Sequence, residues 1–217
     1  MRLPLLFMLK RVFTVDSPYK MRYTNIMLKR AFKLAKKERY QEAEALLQKI
    51  LTKEPTWMAW DMLGIILDKT QRHHEAMDAF QQANKLSKNQ PEVIYNIGFC
   101  ALNLHQYPLA RECFNSLIDK RPNDFALWSN LGAAEKALGN FGEALKAFER
   151  VCDLKPDLAS GWANRATVLS GMGMLENPEA FYRRAIELDP KQGSKLACLL
   201  YTSQSPRDAT LSRMPSS

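Results

Sequence analysis

A period of 34 residues constrains this chain more than any other feature of it. Leu63-Gly64, Ile97-Gly98 and Leu131-Gly132 are spaced by that interval. So are Ala76, Ala110 and Ala144, and so are Phe80, Phe114, Phe148 and Tyr182. Trp60, Ile94, Trp128 and Trp162 keep the same phase, and Pro122, Pro156 and Pro190 close three units as Pro55 closes an earlier one. In the stretch from Phe125 to Leu158 the pattern resolves into two amphipathic helices joined at Gly139-Asn140. Leu127, Trp128, Leu131, Ala134 and Leu138 recur at helical spacing in the first, and Phe141, Ala144, Leu145, Phe148 and Val151 in the second. Gly132 and Ala144 are small where two helices would touch most closely. Pro156 ends the second helix, because it has no backbone donor and disfavours helix in the residue before it. One such hairpin cannot bury its apolar stripe alone, so successive hairpins must stack to make a continuous core. The expectation is an all-α chain without strands between Thr24 and Gln192. Trp60, Ile94, Trp128 and Trp162 should sit in equivalent buried places.

A helix–turn–helix unit repeating every 34 residues resembles the tetratricopeptide (TPR) repeat. The resemblance covers about 24–192 in five units: 24–56, 57–90, 91–124, 125–158 and 159–192. The first is one residue short and has Ala31 at the small position. The resemblance implies a right-handed superhelical α-solenoid.

Composition narrows the class. An apolar fraction of 46% is ordinary for a folded chain, and no apolar run approaches a membrane span. The four cysteines, Cys100, Cys113, Cys152 and Cys198, include no CxxC pair, which argues against a zinc site or a disulfide framework and for a reducing, cytoplasmic setting. Of the formal net charge of +8, residues 1–23 carry +4 and residues 193–217 carry +2. A repeat block that near to neutral lacks the basic stripe that phosphate neutralisation needs, so nucleic acid is not the expected partner. The charge run Lys29, Arg30, Lys33, Lys36 and Lys37 reads as a solvated helix face or, more sharply, as a local anionic contact.

Both ends stand outside the pattern. Residues 1–23 read as a basic leader, poorly ordered or preceding a true start at Met21 or Met27. The periodicity vanishes in the tail, and CLLYTS followed by SPRD, from Cys198, resembles translated sequencing-adaptor sequence, to be set aside in fold reasoning. Residues 193–217 are then the start of a truncated next unit followed by non-native sequence. In the fifth unit Pro178 replaces the usual alanine. Asn177 is a good N-cap and Pro178 a good first helical residue, so the last helix is expected to start late, near Pro178.

Nothing in the chain reads as catalytic. There is no P-loop, nucleophile elbow, HExxH or glycine-rich dinucleotide turn, and no cofactor or metal is implied. His73-His74 and His105 read as turn residues. The resemblance implies instead that the first helices of successive units line a groove that binds an extended peptide or a partner helix. That groove would present Met58, Asp61, Met62, Ile65, Tyr95, Asn96, Phe99, Asn103, Asn130, Lys136 and Asn164. Asn96, Asn130 and Asn164 are one period apart, and each amide offers a donor and an acceptor. The column resembles the asparagine ladder of the O-linked N-acetylglucosamine transferase superhelix. The competing reading is that these asparagines bond within the array. Some TPR domains grip a C-terminal carboxylate with basic residues on these faces, but Asp61, Met62, Ala126 and Asn130 stand here instead. Met58, Met62, Tyr95 and Phe99 suggest an apolar patch suited to a hydrophobic anchor. The function expected is a protein–protein interaction scaffold. The alternative is the N-terminal substrate-recruiting array of a larger bacterial glycosyltransferase or sulfotransferase, by analogy alone.

Overall fold

The computed structural model of the chain describes residues 20–172 and 178–192. Among them there are ten α-helices and no strand. They are α1 Lys20–Lys36, α2 Tyr40–Lys53, α3 Trp57–Lys69, α4 His73–Ser87, α5 Pro91–Asn103, α6 Tyr107–Ile118, α7 Phe125–Ala137, α8 Phe141–Leu154, α9 Ala159–Gly171 and α10 Pro178–Leu188, with a 3₁₀ turn Pro190–Gln192 after the last. α1 begins ahead of Thr24, the expected start of the first unit. The last helix is described from Pro178 onward; its expected late start, with Asn177 as the cap, falls on residues 173–177, which like the adaptor-like tail lie outside the described residues.

The helices form two compact units, the first ending at Gln106 and the second beginning at Tyr107. In the first, α1 packs on α2, α2 on α3, α3 on α4 and α4 on α5. In the second, the same sequential packing runs from α6 to α10.

The turns inside the first four hairpins repeat one backbone device. Glu38, Gln71, His105 and Gly139 all have left-handed φ, between 58° and 79°. The residue after each donates its N–H back across the helix end: Arg39 to Leu34, Arg72 to Leu67, Gln106 to Ala101 and Asn140 to Glu135, at 2.8–3.0 Å. This is the Schellman closure, and it satisfies carbonyls that would otherwise be orphaned. Only Gly139 adopts the conformation without a Cβ clash. His105 is therefore a turn residue in a left-handed position.

Two of the helix starts between hairpins are capped by side chains. Thr56 Oγ1 accepts from the Ala59 N–H at 3.3 Å, and Asp124 Oδ1 accepts from the Ala126 and Leu127 N–H groups at 3.1 and 3.3 Å. Where the other linkers carry a closing proline, this one has Lys88 and Asn89, both left-handed, before Pro91 opens α5.

Two hairpins close on a glycine facing a ring. A Cβ at Gly64 would lie 2.6 Å from the Phe80 ring, and one at Gly132 would lie 2.8 Å from the Phe148 ring. The periodic column Leu47, Phe80, Phe114, Phe148 and Tyr182 is fully or almost fully buried, as are Ala43, Ala76, Ala110 and Ala144. In the last hairpin Tyr182 packs on Ala166 and Ala185, and its hydroxyl lies 3.2 Å from Thr167 Oγ1.

The indole positions differ from expectation. Trp60, Ile94, Trp128 and Trp162 are equivalent, but all four are half-buried rather than buried. The reason is visible at two of them. Trp128 Nε1 donates to the Pro122 carbonyl and Trp162 Nε1 to the Pro156 carbonyl, both at 2.9 Å. The closing prolines thus hold the polar edge of each indole at the surface, where its N–H has a partner.

Candidate functional site

The expected groove residues in the first unit lie on α3 and α5. Met58 and Met62 on α3, and Tyr95 and Phe99 on α5, are half-buried. Asp61, Ile65 and Asn96 were expected to face a ligand, and the structure corrects this: Asp61 is 0%, Ile65 9% and Asn96 9% exposed. Asn96 Nδ2 donates to Asp61 Oδ1 at 2.8 Å. Two helical turns further on, Asn103 Nδ2 donates to Asp68 Oδ1 at 2.9 Å. The polar groups best suited to hold a peptide backbone are therefore spent on joining the two helices.

These bonds fix the geometry of the remaining side chains. Both residue numbers rise from the first bond to the second, so α3 and α5 run parallel. At about 100° per residue, Met58 and Met62 lie roughly 60–100° to one side of Asp61 on α3. Tyr95 and Phe99 lie the same angle to the other side of Asn96 on α5. Asp61 and Asn96 face each other across the pair, so the opposite rotations bring all four apolar side chains to one side of it. A patch of two thioethers and two aromatic rings results, with an amide–carboxylate pair beneath it.

The carboxylates below the patch are unusual. Burial pushes the Asp61 pKa up from 3.8 to about 7, against the lowering effect of the Asn96 hydrogen bond, and the nearby Glu92 charge adds to the rise. Asp61 Oδ2 has no hydrogen-bond partner. Asp68 Oδ1 accepts from Asn103 and also meets His73 Nδ1 at 2.8 Å. His73 thus opens α4 as a bonded partner of a buried acid, a role that reading it as a surface turn residue missed. Asp68, His73 and Cys100 come close to one another, but the thiol donates to the His73 backbone carbonyl, not to its ring. Burial, with the Asp68 charge, pushes that thiol up to about 12, so it is no activated nucleophile. Among the described residues no group of three or more His, Cys, Asp or Glu side chains is placed to hold a metal ion.

In the second unit, Asn130 and Lys136 on α7 and Asn164 on α9 are half-buried. A buried acid recurs here as well. Glu135, 6% exposed, stands at the position of Leu67, Ala101 and Leu169, and accepts from Asn140 Nδ2 at 2.8 Å. The acid sits where the 34-residue pattern calls for an apolar residue, so the periodicity that found the helices gave no sign of it.

Among the described residues, open clefts also lie between the second helices of successive hairpins. One, of about 360 Å³, is lined by Glu44 and Gln48 on α2, Trp60, Leu63 and Leu67 on α3, and Arg72 with residues of α4. Another, of about 1350 Å³, is lined by residues of α6 and α8 over Trp128, Leu131 and Glu135 of α7. Trp60 and Trp128, Leu63 and Leu131, and Leu67 and Glu135 are equivalent residues two periods apart. The half-exposed indoles floor these clefts. Their walls carry acids and bases already paired with each other, such as Arg72 with Glu44 and Glu75, and Lys146 with Glu143.

Comparison with known proteins adds a family. A model described as the tetratricopeptide repeat protein 21 C-terminal ARM domain matches residues 8–126, and two tetratricopeptide repeat models match 101–159 and 159–192. No curated protein matches the chain. Among solved structures, the chain is similar to YrrB, described as a TPR protein with an unusual peptide-binding site. The TM-score is 0.72 at 21% identity, covering 81% of this chain and 90% of that one. It is also similar to MamA 41-end from Desulfovibrio magneticus RS-1, with a TM-score of 0.72 at 18% identity over 78% of this chain and 96% of that one. A MamA RS-1 ArsTM double mutant gives 0.72 at 19% identity over 79% and 97%. At these identities the likeness is one of fold, and the fold is an all-α TPR solenoid.

Proposed function

Since this chain belongs to the tetratricopeptide-repeat family, we propose that it is a protein-interaction scaffold of five hairpin units over about 24–192. Its partner is a polypeptide segment, an extended peptide or a helix, that docks an apolar anchor on the patch of Met58, Met62, Tyr95 and Phe99. The observation that carries this reading is an inversion of the usual burial. On α3 and α5 the polar Asp61 and Asn96 are buried, while four large apolar side chains beside them keep part of their surface in water. A side-by-side apolar patch on two helices is a surface that gains by being covered. Met62 and Met58 suit it to partners of varied shape, because the thioether side chain is unbranched and adaptable. A ladder of asparagines is no longer the means of recognition at Asn96, whose amide is committed to Asp61. The unreactive thiols agree with a reducing setting such as the cytoplasm.

The test places a photo-crosslinking amino acid at Tyr95 and, separately, at Gln82 on the rim of the smaller cleft. A polypeptide cross-linked from position 95 but not from 82, and lost in a Met62→Glu/Phe99→Glu variant of unchanged helix content, is the expected outcome. Cross-linking from position 82 alone would move the site to the clefts.

A further inference from the structure

The first helix is unlike the others in how it treats its charges. α1 turns Thr24, Leu28, Ala31 and Ala35 inward, all buried. On the opposite side Lys29, Arg30, Lys33, Lys36 and, just past the helix end, Lys37 are exposed, and α1 contains no acidic residue. At about 1.5 Å per residue these five cations fall within roughly 12 Å of helix axis. Ile26, 60% exposed, stands on the same face. Elsewhere exposed charges pair locally: Arg39 with Glu42, Arg72 with Glu75, Lys146 with Glu143 and Arg184 with Glu187. Arg30, Lys33, Lys36 and Lys37 enter no salt bridge among the described residues.

Helix electrostatics explains part of this run. Lys33 and Lys36 lie in the last turn, where cations complement the helix dipole. Arg30 lies outside that turn, three residues from Lys33, and like charges at that spacing repel one another. An anionic partner relieves that repulsion, and the shape of the face says which kind. It is the outer side of one helix, and therefore convex. A peptide partner needs a groove with pockets for its anchors, which a single ridge does not provide. Four of the five cations are lysines, point charges on flexible stems rather than the planar forks that read carboxylates or phosphates in fixed geometry. A convex, lysine-rich ridge with one projecting aliphatic side chain matches a broad, fluid, negatively charged plane.

We propose that the outer face of α1 is a docking surface for an anionic phospholipid bilayer. The lysines sit at the headgroup level and Ile26 enters the interface. The apolar stripe of α1 is already used against α2, so the contact is electrostatic and reversible. Among the described residues no helix is long and apolar enough to cross a membrane, so the attachment is peripheral.

The test is flotation of the full chain with phosphatidylcholine vesicles, with and without about 30% phosphatidylserine. Binding is expected only with phosphatidylserine, and it should fall steeply as salt is raised. Lys33→Glu/Lys37→Glu should weaken it by at least about 30-fold, since each lost cation is worth about fivefold and each new carboxylate is repelled as well. Lys33→Arg/Lys37→Arg should retain it. Both positions are exposed, and an unchanged melting temperature keeps the comparison valid. Equal binding to neutral vesicles, or a charge-reversed variant that floats as well as the wild type, overturns the proposal. So does binding to soluble polyglutamate or poly(U) without binding to the vesicles, which would assign the face to a protein or to a nucleic acid. Because the patch of Met62 and Phe99 is untouched by these substitutions, failure here leaves the peptide-docking reading standing.

Discussion

Asp61→Asn should make this protein more stable at alkaline pH and less stable at acid pH. The wild-type carboxyl is fully buried, and its pKa is raised from 3.8 to about 7. Below the unfolded value both states hold the proton, and the group's contribution to stability is complete. As pH rises above 3.8 the unfolded chain ionises while the folded chain keeps its proton, so stability is lost until the folded group ionises near 7. At about 1.4 kcal/mol per pH unit the loss across this window is ~4 kcal/mol. Asparagine has the same shape and no titration. Its carbonyl oxygen can accept from Asn96 as Asp61 Oδ1 does, but its amide nitrogen would sit where Oδ2 now lacks a partner. That unsatisfied donor costs about 1–3 kcal/mol at every pH. The variant should therefore be less stable than wild type by about 1–3 kcal/mol near pH 4, and more stable by about 1–3 kcal/mol near pH 8. Urea unfolding at four or five pH values between these limits measures the difference. A stability difference that stays constant across the range would refute the reasoning, because it would mean that Asp61 does not exchange its proton between the two states.

Two further outcomes follow from the packing. Gly132→Leu should destabilise the chain in urea by roughly 1–3 kcal/mol, because even a Cβ there meets the Phe148 ring at 2.8 Å. In the same contact Phe148→Ala should cost about 3–5 kcal/mol, and equal stability of either variant would remove the stacked-hairpin account. Cys100, pushed by burial to about 12, and Cys113 and Cys152, pushed to about 11, should label slowly with a thiol reagent near pH 8 until the chain is unfolded. Rapid native labelling at these three positions would contradict their burial.

The helices, the hairpin turns and the ring-on-glycine contacts were legible because each repeats, and a repeat is visible without knowing what any one residue touches. Leu63-Gly64 and Phe80 recur in phase with their equivalents, so their contact could be inferred once the hairpin was. The left-handed turn position was legible only at Gly139, since Glu38, Gln71 and His105 adopt it against their own preference. The site was less readable for a different reason. Asp61 and Asn96 are 35 residues apart, one more than the period, because the bond joins neighbouring units rather than equivalent places in them. Asparagine on a groove face offers the same donor to a ligand or to a neighbouring helix, and only the burial of its acceptor decides between them. The tryptophans misled in the other direction. A large ring in phase with a core pattern reads as buried, but the carbonyls of Pro122 and Pro156 hold the indole nitrogens of Trp128 and Trp162 at the rim.

Hairpins cut to one pattern face a hazard that irregular folds avoid: any one of them can settle against the wrong sibling, or against a sibling from another copy of the chain, with much of its oily surface still covered. Asp61 and Asn96 work against such misordering. A buried acid deprived of its single donor leaves an unsatisfied oxygen in the interior, at a cost of about 1–3 kcal/mol, and α5 is the helix that brings the matching amide. The pair gives little to cohesion and much to sequence order, serving as an address by which the second hairpin finds the third.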